Sequence, residues 1–146
     1  VLILGSFPST ASLAAQQYYA HPQNQFWRIL GEVIGLPLKE MDYAVRIAAV
    51  QAAGIAIWDV FASCERAGSL DTAIRDAIPN DLVALRKSAP ALRRICFNGG
   101  MAARCIREVE ALGFEALVLP STSPANATWS FERKLQAWRA ALLPGR

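Results

Sequence analysis

The chain has 146 residues, 53% of them hydrophobic, with fifteen basic against twelve acidic side chains for a formal net charge of +3. That length and apolar content fit one folded domain with a real core and exclude a disordered chain, while the mild basic excess is compatible with a polyanionic partner without selecting one. No apolar run is long enough to span a bilayer, and the three cysteines, Cys64, Cys96 and Cys105, are too few and too scattered for a disulfide framework. A cytoplasmic, reducing compartment is expected.

The chain opens directly on "VLILG" (1–5), with no charged leader, as a trimmed start would. This run, "GIAIWDV" (54–60), "LRRICFNG" (92–99) and "EALVLP" (115–120) are short and rich in Val, Ile and Leu, the pattern of strands buried on both faces. Between them, Phe26, Ile29, Leu30, Val33 and Ile34 recur at helical spacing up to Gly35, and Ala102, Cys105, Ile106, Val109 and Leu112 do so up to Gly113. Glycine at each stop can take the left-handed cap. A further helix is predicted from Met41 to Ala53, one or two short ones between Leu70 and Lys87, and a last one marked by Phe131, Leu135, Trp138 and Leu142. Strands alternating with helices predict a three-layer α/β/α sandwich with a central, mostly parallel four-stranded sheet, in one domain over residues 1–146.

Ligands of open α/β sheets sit beyond the carboxyl ends of the strands. There the sequence places "GSFPST", "DVFASCERAGS", "NGG" and "PSTSPANAT", small polar loops whose backbone amides can hold phosphate oxygens, though the same residues are also ordinary turn formers. No G-x-G-x-x-G follows the first strand and no G-x-x-x-x-G-K-[ST] occurs, which removes the main support for a dinucleotide or a P-loop nucleotide. His21 is the only histidine, no C-x-x-C pair occurs, and carboxylates do not cluster at ligand spacing, so a metal site is hard to build. A Ser-His or Cys-His nucleophile would have to use His21, which has no obvious serine partner in sequence.

The blocks "LGSFPS", "YYAHPQNQFWRILGEVIG", "IWDVFASCERAGSLD", "FNGG" and "LPSTSPANA", in this order over nearly the whole chain, resemble the uracil-DNA glycosylase superfamily, most closely its hypoxanthine-DNA glycosylase branch. The tract "AHPQNQFW" is also similar to one in the mismatch-specific uracil glycosylases. The resemblance implies an α/β/α fold, no cofactor, and excision of a deaminated base from DNA; the expected partner is double-stranded DNA carrying that base, with no membrane, and the expected state is a monomer. Mismatch-specific relatives carry a water-activating asparagine in a first-loop G-I-N-P-G pattern, where this chain has Phe7. In the hypoxanthine branch the amide comes instead from the H-P-x-N block, here Asn24. An amide is no strong base, so its task would be to hold a water against the sugar C1′ as positive charge develops there. Asn24 also directly precedes a helix start, where asparagine is a favoured cap, and both roles can hold together.

A base extruded from the duplex needs a pocket of flat apolar surface with a few polar groups on its edge, and the ring- and amide-rich "QYYAHPQNQFW" (17–27) suits that need. Phe7 is the candidate to stack on the base and Tyr18 or Tyr19 to form a wall, whereas Phe26 and Trp27 read as helix core. Asp59 stands where related glycosylases often carry an asparagine that reads uracil. Its carboxylate could accept the N1 hydrogen of hypoxanthine, a donor adenine lacks, or it could cap the following turn or pair with Arg66. "STSPAN" aligns with the superfamily's second motif, placing Ser121 where many members have histidine or asparagine and Ala125 where they have a leucine wedge. Efficient uracil excision is in doubt on that ground. Ser6, Ser9, Ser123 and Asn126 are candidates for the DNA backbone, and His21 for phosphate or for packing. No lysine sits in these motifs to form a Schiff base, so a monofunctional glycosylase is expected. The three cysteines exclude, within this chain, the four-cysteine iron-sulfur cluster of another branch. Removal of uracil from mispairs, and a glycosylase-like binder without catalysis, are the alternatives.

Overall fold

The computed structural model describes residues 1–6, 9–59, 61–66, 74–79 and 82–143, of which Thr10 and the segments 61–66 and 74–79 are described by backbone alone. Four strands, β1 (Leu2–Gly5), β2 (Ala56–Asp59), β5 (Arg94–Asn98) and β6 (Glu115–Leu119), form one parallel sheet in the order β2-β1-β5-β6. These are the four apolar runs of the sequence. A separate antiparallel pair, β3 (Phe61–Arg66) with β4 (Ile74–Pro79), follows β2.

Side chains alternate across the sheet as the two-residue period of a strand requires. Ile3 of β1 and Cys96 of β5 face one layer, formed by α2 (Phe26–Ile34), α3 (Tyr43–Ala52) and α6 (Phe131–Leu142), where Phe26, Ile29, Leu30, Val50, Leu135 and Trp138 are buried. Leu2, Leu4, Ile95 and Phe97 face the other way, onto a 3₁₀ turn at Ala102–Cys105 and α5 (Ile106–Ala111), with Ala102, Val109 and Phe114 buried there. Neighbours one position apart in β1 and β5 thus belong to different cores. The α/β/α reading of the sequence is borne out.

The helix stops also follow the sequence. Gly35 closes α2 in the left-handed conformation at φ 77° and Gly113 takes φ 89° just beyond α5. The stretch between Leu70 and Lys87 departs from expectation, because it contains strand β4 as well as one short helix, α4 (Ala84–Ser88). Pairing with β3, a non-local contact, decides its form, and Pro79 is tolerated because a two-stranded sheet has only edges. A short helix α1 (Thr10–Ala15), capped by Ser9, was also not anticipated. Among the described residues no helix is long and apolar enough to cross a membrane.

The two cores are small, so each large side chain carries a sizeable share of stability. Replacing Phe97, fully buried on the α5 side, by alanine is expected to lower the unfolding free energy in urea titrations by about 3–5 kcal/mol; a loss well under 1 kcal/mol would show that this face is not closely packed.

Candidate functional site

The direction of strand addition reverses between β1 and β5, its central pair, and the chain diverges from their carboxyl ends onto opposite faces. A cleft of about 740 Å³ opens there. Gly5 and Ser6 follow from β1, Asp59 from β2, Asn98 to Gly100 from β5, and Leu119 to Asn126 from β6, with Tyr18, Tyr19, His21 and Asn24 closing one side. Of the sequence candidates, Ser6, Ser9, Tyr18, Tyr19, His21, Asn24, Asp59, Ser121, Ser123 and Asn126 all line this one space. Phe7 and the Arg66 side chain lie outside the described residues.

The segment before α2 is fastened at nearly every turn. Tyr18 N–H donates to the Tyr43 hydroxyl at 3.0 Å, and the Trp27 indole N–H donates to the Tyr18 carbonyl at 2.9 Å. Ala20 N–H donates to the Ser12 hydroxyl at 2.9 Å, and Gln23 N–H to Nδ1 of His21 at 3.1 Å. That last contact makes Nδ1 an acceptor, so the ring's N–H sits on Nε2 when neutral. The Asn24 Oδ1 accepts from Phe26 N–H at 2.9 Å, reaching over Gln25, the residue at the cap position of α2. Only the carbonyl end of the amide can accept that bond, which settles its orientation. Half-buried Asn24 is therefore a helix-start residue and a cleft residue together.

Behind these residues the aromatic rings divide as expected. Phe26 and Trp27 are 0% and 4% exposed and belong to the core. Tyr19, held at φ 54°, stacks on Phe26 with ring centroids 3.9 Å apart and planes 18° from parallel, and Phe26 in turn meets Trp138 edge-on at 5.8 Å. The Tyr19 hydroxyl and the Asp59 carboxylate converge over Gly5. A Cβ at Gly5 would lie 2.7 Å from Asp59 Oδ1 and 2.8 Å from the Tyr19 hydroxyl oxygen, so only glycine permits this meeting. Asp59 is 8% exposed. Burial, and then the negative charge of Asp59, push the Tyr18 phenol above its ordinary value, so it remains a neutral hydrogen-bonding group at physiological pH.

Opposite lies the loop after β6, held by a buried polar junction that sequence reasoning missed. The Asn98 amide donates to the Thr122 hydroxyl and accepts from Thr122 N–H, both at 3.0 Å, with the two residues 7% and 0% exposed. The Thr122 carbonyl accepts from Gln25 N–H at 3.0 Å, and the Pro120 carbonyl from the Trp138 indole at 3.0 Å. Ser121 and Ser123 use their hydroxyls to accept from Ser123 N–H and Ala125 N–H, and the Asn126 amide donates to the Ser121 carbonyl. Ser9 likewise accepts from Ser12 N–H as the cap of α1. These hydroxyls build the rim's shape while still lining it. "FNGG" in the sequence marked the place of Asn98, but nothing local marked its partner.

Within the described residues no group of three or more His, Cys, Asp or Glu side chains is placed to hold a metal ion. Cys96 and Cys105 are free thiols that burial pushes up to about 11, too high for a thiolate nucleophile at neutral pH. Among the described residues, the cleft offers amides, hydroxyls, the His21 imidazole and the buried carboxylate of Asp59. Asn98→Ala would leave the buried N–H and hydroxyl of Thr122 without partners, and thermal or urea unfolding should register a loss of about 1–3 kcal/mol, together with faster hydrogen exchange at the Thr122 amide. Unchanged exchange there would mean the junction does not hold the loop.

Comparison with known proteins agrees with this geometry. The family model of the Uracil DNA glycosylase superfamily matches residues 1–142. A protein of Methanosarcina acetivorans described as a hypoxanthine DNA glycosylase is 42% identical over 140 residues, covering 96% of this chain and 88% of its own. One of Methanosarcina barkeri with the same description is 38% identical over 141 residues, covering 97% and 89%. The solution NMR structure of a candidate uracil DNA glycosylase from Methanosarcina acetivorans superposes with a TM-score of 0.88 at 42% identity, over 97% of this chain and 87% of that one. With the family model spanning nearly every residue and the cleft at the sheet's switch point, the chain belongs to the uracil DNA glycosylase superfamily.

Proposed function

We propose that the protein is a monofunctional DNA glycosylase that flips deoxyinosine out of duplex DNA and hydrolyses its N-glycosidic bond, acting as a monomer without a cofactor. The observation that carries this reading is the meeting of Asn24 and Asp59 in one cleft at the carboxyl end of the sheet, in a chain whose similar proteins are described as hypoxanthine DNA glycosylases. A carbonyl oxygen has two lone pairs. One on Asn24 is used by Phe26 N–H, which fixes the side chain, and the other is the acceptor for a water beneath C1′. As the bond to the base lengthens, positive charge grows on the sugar and the oriented water closes on it. Its proton leaves to solvent or to the departing base, and the products are free hypoxanthine and an abasic site with the strand intact.

Asp59 serves the other half of the reaction. Its carboxylate accepts the N1 hydrogen of hypoxanthine, while adenine would present a lone pair to the same oxygen and be repelled. Leaving a buried charge opposite an acceptor is far more costly than losing one contact, which makes the discrimination steep. Tyr18 and Tyr19 wall the base, and Ser6, Ser9, His21, Ser123 and Asn126 meet the strand it came from, with Ser121 near its edge. Uracil offers a comparable N–H from its N3 position, so it is the natural competing substrate.

Single-turnover release from duplexes carrying deoxyinosine, deoxyuridine or deoxyxanthosine tests the assignment. Asn24→Ala is expected to slow hypoxanthine release at least about a hundred-fold while duplex binding persists, as loss of a positioned nucleophile does. Release at the parental rate would sink the role of the amide, and binding with no release from any of the three duplexes would make the chain a binder. For Asp59→Ala, loss of a hydrogen bond to a charged group predicts roughly ten- to a hundred-fold slower hypoxanthine release. An unaltered preference among the three bases in that variant would remove Asp59 from recognition.

A further inference from the structure

Lys134 is 2% exposed, although lysine is among the side chains least often buried without a partner. It stands one turn into α6, and its ammonium donates to Oε1 of Gln25 at 3.0 Å, across 109 residues of sequence. Burial draws its pKa below the ordinary lysine value. Lys134 is not among the residues lining the cleft; its ammonium reaches the segment that carries Asn24 through the Gln25 side chain. Gln25 is the residue between the water-binding candidate and the helix, and it is tied twice, through its side chain to Lys134 and through its backbone N–H to the Thr122 carbonyl. Among the described residues the ammonium's hydrogen bond is to one neutral acceptor, so a charge withdrawn from water is committed to fastening this segment.

We infer that Lys134 is a positioning residue for base excision, gripping the Gln25 side chain so that the neighbouring Asn24 carbonyl points into the cleft. The inference rests on the catalytic reading of Asn24 given above. Lys134 touches neither DNA nor water in the reaction, so its loss should change the chemical step and leave duplex affinity alone. Methionine at position 134 keeps the alkyl length and removes the donor. Displacement of a reacting group by a fraction of an ångström to an ångström predicts roughly ten- to a hundred-fold slower single-turnover release of hypoxanthine from an inosine duplex, with a duplex Kd within about two-fold of the parent.

The decisive comparison adds Asn24→Ala. If Lys134 acts through Asn24, Lys134→Met should cost little or nothing further in an Asn24→Ala background; equal losses in both backgrounds would overturn the proposal, as would a Lys134→Met single variant at the parental rate. An Asn24→Ala protein with undiminished release would fail at the earlier step, withdrawing the role of the amide and this inference with it. Should Lys134→Met fold poorly, the double variant Gln25→Leu with Lys134→Met leaves no buried charge or acceptor unmatched and should regain stability. Its release rate should nevertheless stay low; recovery of the rate along with stability would mean that the pair contributes to folding alone.

Discussion

Thr122 is the residue on which the cleft depends. Its N–H and hydroxyl are engaged by Asn98 at the end of β5, and its carbonyl by Gln25 at the start of α2. One fully buried threonine therefore joins the sheet, the loop after β6 and the segment carrying Asn24. Buried hydrogen bonds of this kind add only about 1 kcal/mol each when made, but leaving any one unmade costs more, so the arrangement is steeply specified even though its net stabilisation is modest. The same junction explains why the small polar rim loop needs no secondary structure. Its shape is written by internal hydroxyl contacts from Ser121 and Ser123 and anchored at Pro120 by Trp138.

Anchoring matters on the proposed reading because the group assigned to the water, the Asn24 amide, is neither a strong acid nor a strong base. An amide contributes to hydrolysis only by where it holds a water, so its contribution is nearly all geometry and falls steeply with displacement. Fastenings of the kind that role would need are dense around residues 18 to 25, where two aromatic side chains hold one tyrosine's backbone and a helix's first N–H holds the asparagine carbonyl. Tyr19 shows the same constraint in its backbone. Its left-handed conformation is uncommon for a bulky residue and is kept in place by stacking on Phe26, which is itself locked edge-on against Trp138.

Elements whose cause is local were legible in the sequence. The four Val-, Ile- and Leu-rich runs became the four sheet strands, and the 3.6-residue spacing from Phe26 to Ile34 became α2 with Gly35 as its stop. The density of rings and amides in "QYYAHPQNQFW" marked one side of the cleft for the same reason, since those residues are neighbours in the chain as well as in space. What escaped notice was non-local. Asn98 and Thr122 are 24 positions apart and Gln25 and Lys134 are 109 apart, and no periodicity links either pair. The β3–β4 hairpin was read in part as short helices because its register comes from cross-strand pairing rather than from its own weakly patterned sequence.

Hypoxanthine poses a harder problem than uracil, because guanine has the same N1 hydrogen and the same carbonyl beside it. On the proposed reading, a carboxylate at Asp59 that rejects adenine cannot reject guanine by that contact, so exclusion would have to come from the guanine 2-amino group and from the energy of extrusion. Inosine opposite cytosine forms one hydrogen bond fewer than guanine does and leaves the stack at lower cost. An enzyme that depends on this difference gains nothing from a bulky wedge that would push every purine out alike. Ala125, small and exposed on the rim at the position the resemblance aligns with a leucine wedge, fits that logic. On the proposed reading, selection is left largely to the duplex: a nucleotide that opens readily enters the cleft, and the edge it presents to Asp59 then decides whether it is cleaved.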